Sequence, residues 1–309
     1  MQKIKSFIIG LGNIGIGYDK TIKNKYFYTH AKSITYSKIF DLVGGSDISK
    51  KKRDIFLKKY KKPVFHSIDL PLLKTKPSLV VLSTPTNTHF QCIKKIVKHK
   101  CVKFLICEKP LSTNINEAEK IVKICKKNNI KLFVNYFRIS EPSTQKLKKI
   151  FINNKNEVFG KVYYSRGFFN NASHFLNLFE YIFGEFKNGY LTKRLKIFRK
   201  YDLKCNFFVE LGDAKINFIC KNKEFDQFKF ELKYGKHLIK YTKNGEQIVI
   251  IKKGVSKNII NNLMYKYQLN VYNEITKYIL KKKNYHLCSG DDALKTVNNM
   301  YKILNHEKI

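Results

Sequence analysis

Ser6-Phe7-Ile8-Ile9-Gly10-Leu11-Gly12-Asn13-Ile14-Gly15 is the stretch that decides the fold: a short apolar run of strand type enters a G-x-G-x-x-G turn at residues 10–15. Glycine is required there because the turn is tight, because the main chain must approach a pyrophosphate closely, and because the next helix packs near the strand. Directly after an N-terminal apolar strand, the pattern predicts a dinucleotide loop rather than a plain turn. Working outward, the next strand-like run, Leu42–Asp47, ends on a carboxylate. Such a group accepts hydrogen bonds from both ribose hydroxyls and repels a 2′-phosphate, which favours NAD; Ser49, Lys50 and Lys51 leave NADP open. Gly15 and Asp47 lie 32 positions apart, against about 20 in the usual fingerprint. The surplus is a polar and aromatic segment, Ile16–Tyr28, expected to fold over cofactor or substrate.

The alternation continues to residue 137. Strand-like runs at Ser6–Gly10, Leu42–Asp47, Leu79–Ser83, Val102–Cys107 and Lys131–Asn135 are separated by stretches with helical spacing, His30–Phe40, Ser49–Tyr60, Thr88–Lys98 and Asn116–Lys127. Short buried strands alternating with amphipathic helices imply a parallel sheet covered on both faces. After about Glu157 the pattern changes to strands in succession: Lys161–Phe169, Lys204–Leu211, Ala214–Cys220, Phe228–Tyr234 and Gln247–Ile251. Two helices close the chain, Asn262–Lys281 and Asp291–Leu304. The expected fold is therefore an α/β Rossmann N-terminal domain, residues 1–137, plus an α+β C-terminal domain, residues 138–309, with an open, mostly antiparallel sheet. The second domain is expected to bind substrate and to mediate oligomerisation.

Composition adds little to that reading and removes one class. Lys+Arg number 61 and Asp+Glu 23, giving a net charge of +38. Only Arg53, Arg138, Arg166, Arg194 and Arg199 are arginines, whereas nucleic-acid readers lean on arginine for bidentate contacts. The lysines are scattered, and the chain is rich in residues with A/T-rich codons, so genome composition explains the charge better than a nucleic-acid partner does. The Lys50-Lys51-Lys52-Arg53 run reads as a solvated helix face. Seven cysteines without a C-x-x-C pair indicate reduced, packed thiols and a cytoplasmic protein without a metal site. No run of eighteen apolar residues is present, so no membrane association is expected.

Two further segments lie at the carboxyl ends of parallel strands, where open α/β sheets place ligands. They are Ser83-Thr84-Pro85-Thr86-Asn87-Thr88-His89 and Cys107-Glu108-Lys109-Pro110. With the glycine loop, with Asn135-Tyr136-x-Arg138, with Asn170-x-Ala172-x-His174-x-x-Asn177 and with Gly290-Asp291-Asp292-Ala293-Leu294, they give the chain a resemblance to the Gfo/Idh/MocA family, the glucose-fructose oxidoreductase and inositol dehydrogenase group. The resemblance covers nearly the whole chain. It implies a cofactor site of Gly10, Gly12, Asn13, Ile14, Gly15, Asp47, Ser83, Thr84, Pro85, Thr86, His89, Glu108 and Lys109. It further implies a substrate site of Lys109, Asn135, Arg138, Asn170, His174 and Asn177.

The resemblance also matches Lys109 and His174 to the family's catalytic pair. Oxidising a secondary alcohol sends a hydride to nicotinamide while the hydroxyl proton goes to a nearby base, work suited to an ammonium and an imidazole. In one respect the sequence departs: family dehydrogenases carry aspartates where this chain has Asn170 and Asn177, and an amide cannot accept a proton. The expected function is NAD(P)-dependent hydride transfer at a hydroxyl or keto carbon of a sugar, nucleotide-linked sugar or cyclic polyol. The alternative is a non-catalytic NAD(P)-binding sensor of the same fold. A homodimer or homotetramer is expected.

Overall fold

The structure, a computed structural model, describes residues 2–19, 21, 24–152, 156–199, 202–221, 228–252, 256–261 and 264–307. The chain forms two compact units, Met1–Ser140 with Tyr265–Leu294, and Glu141–Met264 with Lys295–Ile309. A single boundary after residue 137 does not describe this: the segment Tyr265–Leu294 returns to the first unit.

In the first unit, strands β1 (Ile4–Ile9), β2 (Phe40–Ser46), β3 (Val64–Phe65), β4 (Leu79–Leu82), β5 (Phe104–Cys107) and β6 (Lys131–Val134) form one sheet in the order β3-β2-β1-β4-β5-β6. Every described pairing in it is parallel. All four residues of β4 are buried, as expected of a strand covered on both faces. Helices α1 (His30–Tyr36), α2 (Lys50–Tyr60), α3 (Asp69–Thr75), α4 (His89–Ile96) and α5 (Ile115–Lys127) connect the strands. The order reverses between β1 and β4, the switch point at which doubly wound sheets bind ligands. β3 and α3 are absent from the sequence reading, because a two-residue strand carries no periodicity.

In the second unit α6 (Pro142–Ile152) and α7 (Ser173–Phe183) accompany β7 (Val158–Tyr164), β8 (Phe186–Arg199), β9 (Asp202–Leu211), β10 (Ala214–Cys220), β11 (Phe228–Tyr234), β12 (His237–Thr242), β13 (Gln247–Lys252) and β14 (Ser256–Asn261). Their order is β14-β13-β12-β11-β7-β10-β9-β8, and only β7 and β10 pair in parallel. Alternation along β10 buries Ala214, Ile216, Phe218 and Cys220 and leaves Asn217 exposed, so one face of the sheet packs on the core. That core is strongly aromatic, with Phe168, Phe175, Phe179, Phe207, Phe218 and Phe230 buried. β7 stops at Tyr164 rather than at Phe169, since Arg166 takes a positive φ of 61° and Phe168–Ala172 forms a π turn. The closing helices are α8 (Tyr267–Ile279) and α9 (Gly290–Leu304); residues 262 and 263, expected at the start of the first, lie outside the described residues.

The segment after the glycine loop is packed rather than loose. One π turn, Asn13–Gly17, follows the glycines, and α1 begins only at His30, with Thr29 capping it by accepting from Lys32 N. Of the expected insertion, residues 20, 22 and 23 lie outside the described residues. Among the rest, buried Asp19 accepts from Thr29 N at 2.8 Å and from Thr29 Oγ1 at 2.6 Å. Lys32, 1% exposed, donates through Nζ to Asn24 O at 2.6 Å, to Asn24 Oδ1 at 2.9 Å and to Tyr26 O. Burial pushes the Lys32 ammonium below its usual range, against the pull of Asp19. Tyr26 stacks on Tyr28, and Tyr28 on Tyr267 of α8, with ring centroids 5.5 and 5.6 Å apart.

Lys32→Met would leave three oxygens and the Asp19 carboxylate without their cation, and removing one partner of a buried ionic group costs about 3 kcal/mol or more. Chemical denaturation should show a loss of that order, with the Asn24–Tyr28 backbone becoming accessible to hydrogen exchange first.

Candidate functional site

The carboxyl ends of β1, β2 and β4 surround a cavity of about 430 Å³ whose lining includes Gly10, Gly12, Ser46, Asp47, Ser83, Thr84 and Pro85. The glycines divide the labour. A Cβ at Gly10 (φ +95°) would lie 2.6 Å from the Ser83 carbonyl carbon, and one at Gly15 would lie 2.4 Å from Gly10 O. At Gly12 the only neighbour within 4 Å would be Lys52 Nζ, at 3.8 Å. Gly10 and Gly15 therefore permit the fold, and Gly12 leaves space for a ligand.

Asp47 holds this corner together. Its Oδ2 accepts from Leu11 N at 2.8 Å and its Oδ1 from Ser49 N at 2.8 Å. Lys52 Nζ stands 3.7 Å from Oδ2, while Arg53 Nη1 donates to Asp47 O at 2.8 Å and Ile48 O at 2.9 Å. Lys52, exposed as the sequence reading of this run expects, thus stands near the acid, and Arg53 is bound to the main chain beside it. His66, Ile68 and Cys92 complete this part of the lining. Nothing in the sequence marks His66, since it follows the two-residue β3. The buried Ser46 Oγ, also on the lining, has no hydrogen-bond partner within the protein.

The other expected cofactor residues, Asn13, Ile14, Gly15, Thr86, His89, Glu108 and Lys109, are not among the residues lining this cavity. His89 is fully buried, with Nδ1 3.0 Å from Leu111 O and Nε2 3.1 Å from Thr84 O; it fastens one loop to the other. Burial pushes its imidazole below the usual histidine range, opposed by those two carbonyls.

At the end of β5, Glu108 and Lys109 are half-buried, and the Lys109–Pro110 peptide is cis. Glu108 Oε1 accepts from Asn135 Nδ2 at 2.6 Å and lies 2.9 Å from His30 Nε2. Asn135 Nδ2 also donates to Gln268 Oε1 at 3.0 Å, and Gln268 Nε2 lies 3.0 Å from His30 Nδ1. Burial alone would raise the Glu108 carboxyl; the His30 and Asn135 hydrogen bonds and the Lys109 charge outweigh it and hold the group below the usual carboxylate range. Arg138 is 3% exposed and lies 4.7 Å from the Phe137 ring centroid.

The second unit places its candidates around the start of α7. His174, 6% exposed, lies in the first turn, with its ring centroid 6.4 Å from that of Phe228. The preceding π turn is fastened by Asp202, which accepts from Phe169 N at 2.8 Å and Asn170 N at 3.0 Å. A Cβ on Gly167 would overlap that carboxylate, 1.8 Å from Oδ2. Asn177 is 2% exposed and donates through Nδ2 to Thr296 Oγ1 at 2.9 Å; Thr296 donates to Glu180, which also accepts from Asn299 Nδ2 at 2.8 Å. The amide of Asn177 thus joins an internal polar network. Among the described residues no group of three His, Cys, Asp or Glu could hold a metal, and no helix is long and apolar enough to cross a membrane.

Residues 4–136 match the sequence model of the Gfo/Idh/MocA oxidoreductase family, described as an NAD-binding Rossmann fold. The myo-inositol 2-dehydrogenase of Thermotoga maritima is 33% identical over 70 residues, 23% of this chain and 20% of that protein. The match therefore spans about a fifth of that relative's length. An oxidoreductase from Agrobacterium radiobacter, crystallised with NAD+, L-tartaric acid and magnesium, superposes with a TM-score of 0.78 at 14% identity over 98% of this chain and 95% of its own. A UDP-N-acetylglucosamine 3-dehydrogenase from Acidithiobacillus ferrooxidans superposes with a TM-score of 0.77 at 14% identity over 99% and 98%. These two share the fold. Over residues 4–136 the chain is thus similar to the Gfo/Idh/MocA oxidoreductases.

The glycine geometry separates folding from binding. Gly12→Val should leave thermal stability near the parent's and abolish titration by NAD, because it fills the open space. Gly10→Val should unfold at lower temperature with or without cofactor. Calorimetric melting and NAD titration of both variants check this, and a Gly12→Val that binds NAD as the parent does would refute the placement.

Proposed function

We propose that this chain, whose residues 4–136 match an oxidoreductase family, is an NAD(P)-dependent dehydrogenase or reductase that transfers a hydride between nicotinamide and a hydroxyl or keto carbon of a sugar, a nucleotide-linked sugar or a cyclic polyol. The observation that carries this reading is the 430 Å³ cavity at the switch point, with Gly12 open toward it and Asp47 at its edge. The lining suits a dinucleotide: Asp47 would accept from a ribose, buried Ser46 Oγ has no partner within the protein, and the Gly10–Gly15 loop would let the main chain approach a pyrophosphate. The turn after the loop has only five residues, so its dipole is small. Lys52, beside Gly12 and Asp47, supplies positive charge that a longer helix would otherwise provide. The same ammonium partly neutralises Asp47 and so tempers the preference for NAD over NADP.

When bound, the nicotinamide supplies the two-electron acceptor or donor. The protein's part is to bind, orient and move a proton. Lys109, next to the anionic Glu108, binds the reacting oxygen as an ammonium. His174 is the proposed base that takes the hydroxyl proton, because imidazole titrates near neutrality. Arg138 and Asn170 are the proposed orienting groups; Asn135 and Asn177 serve them from within their own hydrogen-bonded networks. The known relatives acting on inositol and on UDP-N-acetylglucosamine support the polyol and sugar classes.

We also propose that copies of the chain associate through the open face of the second sheet. Phe159, 50% exposed near the start of β7, and half-buried Tyr163 and Ile219 lie on it. Phe159→Asp should convert an oligomer to a monomer in analytical ultracentrifugation.

The reaction itself is tested by mixing purified protein with NAD or NADP and a panel of sugars, UDP-sugars and inositols, following absorbance of the reduced cofactor. Lys109→Ala should lower kcat at least a hundredfold, in line with the loss of a proton-transfer group, while NAD affinity stays within a few-fold. Turnover that survives in Lys109→Ala would refute the assignment.

A further inference from the structure

The hydrogen bonds behind Lys109 form a closed ring whose direction can be worked out. Asn135 Nδ2 carries two protons, and both are used, on Glu108 Oε1 and Gln268 Oε1. Gln268 therefore turns its Nε2, a donor only, toward His30 Nδ1. Tyr272 OH lies 3.0 Å from the same nitrogen. Because Gln268 Nε2 can only donate, His30 Nδ1 accepts, and the proton sits on Nε2, directed at Glu108 Oε1 2.9 Å away. The ring closes: Asn135 to Glu108, Asn135 to Gln268, Gln268 to His30, His30 to Glu108. Its members come from the start of α1, the end of β5, the end of β6 and α8, all within the first unit.

The ring does more than satisfy buried polar atoms. His30, Gln268 and Tyr272 are at most 1% exposed, so they cannot touch a ligand freely, and their common product is a carboxylate fixed beside Lys109. A buried carboxyl without donors takes up a proton and loses its charge. The charged or titratable neighbours that bear on Glu108 are His30, Lys109, His89, Cys107, Tyr267 and Tyr272. Of these, His30 and Lys109 favour its anion, and His30 donates to it at 2.9 Å, beside the Asn135 amide at 2.6 Å.

We propose that His30 is a positioning residue for Lys109: by donating to Glu108 within the closed ring, it keeps that carboxylate charged, and the charge in turn keeps Lys109 an ammonium at the place where the reacting oxygen binds. The catalytic importance of this arrangement rests on the proposed function; the link from His30 through Glu108 to Lys109 does not. Without the His30 donor, Glu108 keeps only the Asn135 amide and the Lys109 charge to oppose the effect of burial, so its negative charge beside Lys109 weakens.

Competitive acylation of the full-length protein with acetic anhydride, quantified at Lys109 by peptide mass spectrometry across neutral and alkaline pH, reads this link without any substrate. Only the neutral amine reacts, so a downward displacement of the Lys109 titration by a single pH step makes labelling at neutral pH about tenfold faster. His30→Leu and Glu108→Gln should each give an acceleration of that order, and the double variant no more than either alone. His30→Gln, whose amide nitrogen can replace Nε2 as donor, should label like the parent. Should His30→Leu fail to fold, His30→Asn, which is polar but too short to reach Glu108, carries the same expectation. Lys109 labelling unchanged in Glu108→Gln and the His30 variants overturns the proposal, and so does a His30→Gln that behaves as His30→Leu. A protein that never binds NAD, but whose Lys109 responds as described, would overturn the proposed function and leave this link standing.

Discussion

The rest of the first unit depends on the contact between Gly10 and the Ser83–Thr84 backbone. Gly10 N donates to Ser46 O at 2.8 Å, Ser83 N donates to Ile9 O at 2.8 Å, and Ser83 Oγ donates to Gly10 O at 2.7 Å. The ends of β1, β2 and β4 are thereby drawn around one residue that has no side chain. Any Cβ there would have to displace backbone, which is stiff, rather than the tip of a side chain, which is not. The cavity exists because that approach is possible, and Asp47 is aimed at the loop because Leu11, one residue on, presents its N–H to it.

Local patterns made this much readable in advance. The glycine loop, Asp47 and the strand-end segments 83–89 and 107–110 are each contiguous, and each carries its own chemical reason. The ring around Glu108 could not be read in that way. His30 and Gln268 are separated by 238 positions, and no spacing rule connects them; their meeting is a product of the sheet order and of α8 returning to the first unit. The same holds for Lys52 and Arg53: nothing in the basic run shows that Lys52 stands near Asp47 or that Arg53 binds the main chain beside it.

Misread strand limits have equally local causes. β7 looked longer because Phe168 and Phe169 continue the apolar alternation past Tyr164, but Arg166 at positive φ and Gly167 against Asp202 end the strand. β8 escaped notice because it is an edge strand of the second sheet, from Phe186 to Arg199, and its residues 192–197 are exposed. Lysines on an edge strand discourage pairing with other chains, and the same lysines dilute the hydrophobic period by which a strand is recognised. Asp202 would not have been singled out either, since its partners, the Phe169 and Asn170 amides, lie more than thirty residues earlier.

The charge of the chain is best understood from its minority. Only 23 acids are present, and several are committed to holding backbone rather than to balancing lysines. Asp19 fastens the segment before α1, Asp47 the glycine loop and Asp202 the turn before His174. Asp292 caps α9 through Ser289, and Glu274 accepts from His286 N at 2.8 Å. An exposed lysine gains little from a surface partner, so an excess of lysine is tolerated wherever it faces water. A carboxylate that receives two or three N–H groups cannot be exchanged for lysine without leaving those donors unmet. A drift toward lysine therefore stops at these positions. The few acids that remain in so basic a chain mark where the backbone is held, and two of them, Asp47 and Glu108, mark the candidate site.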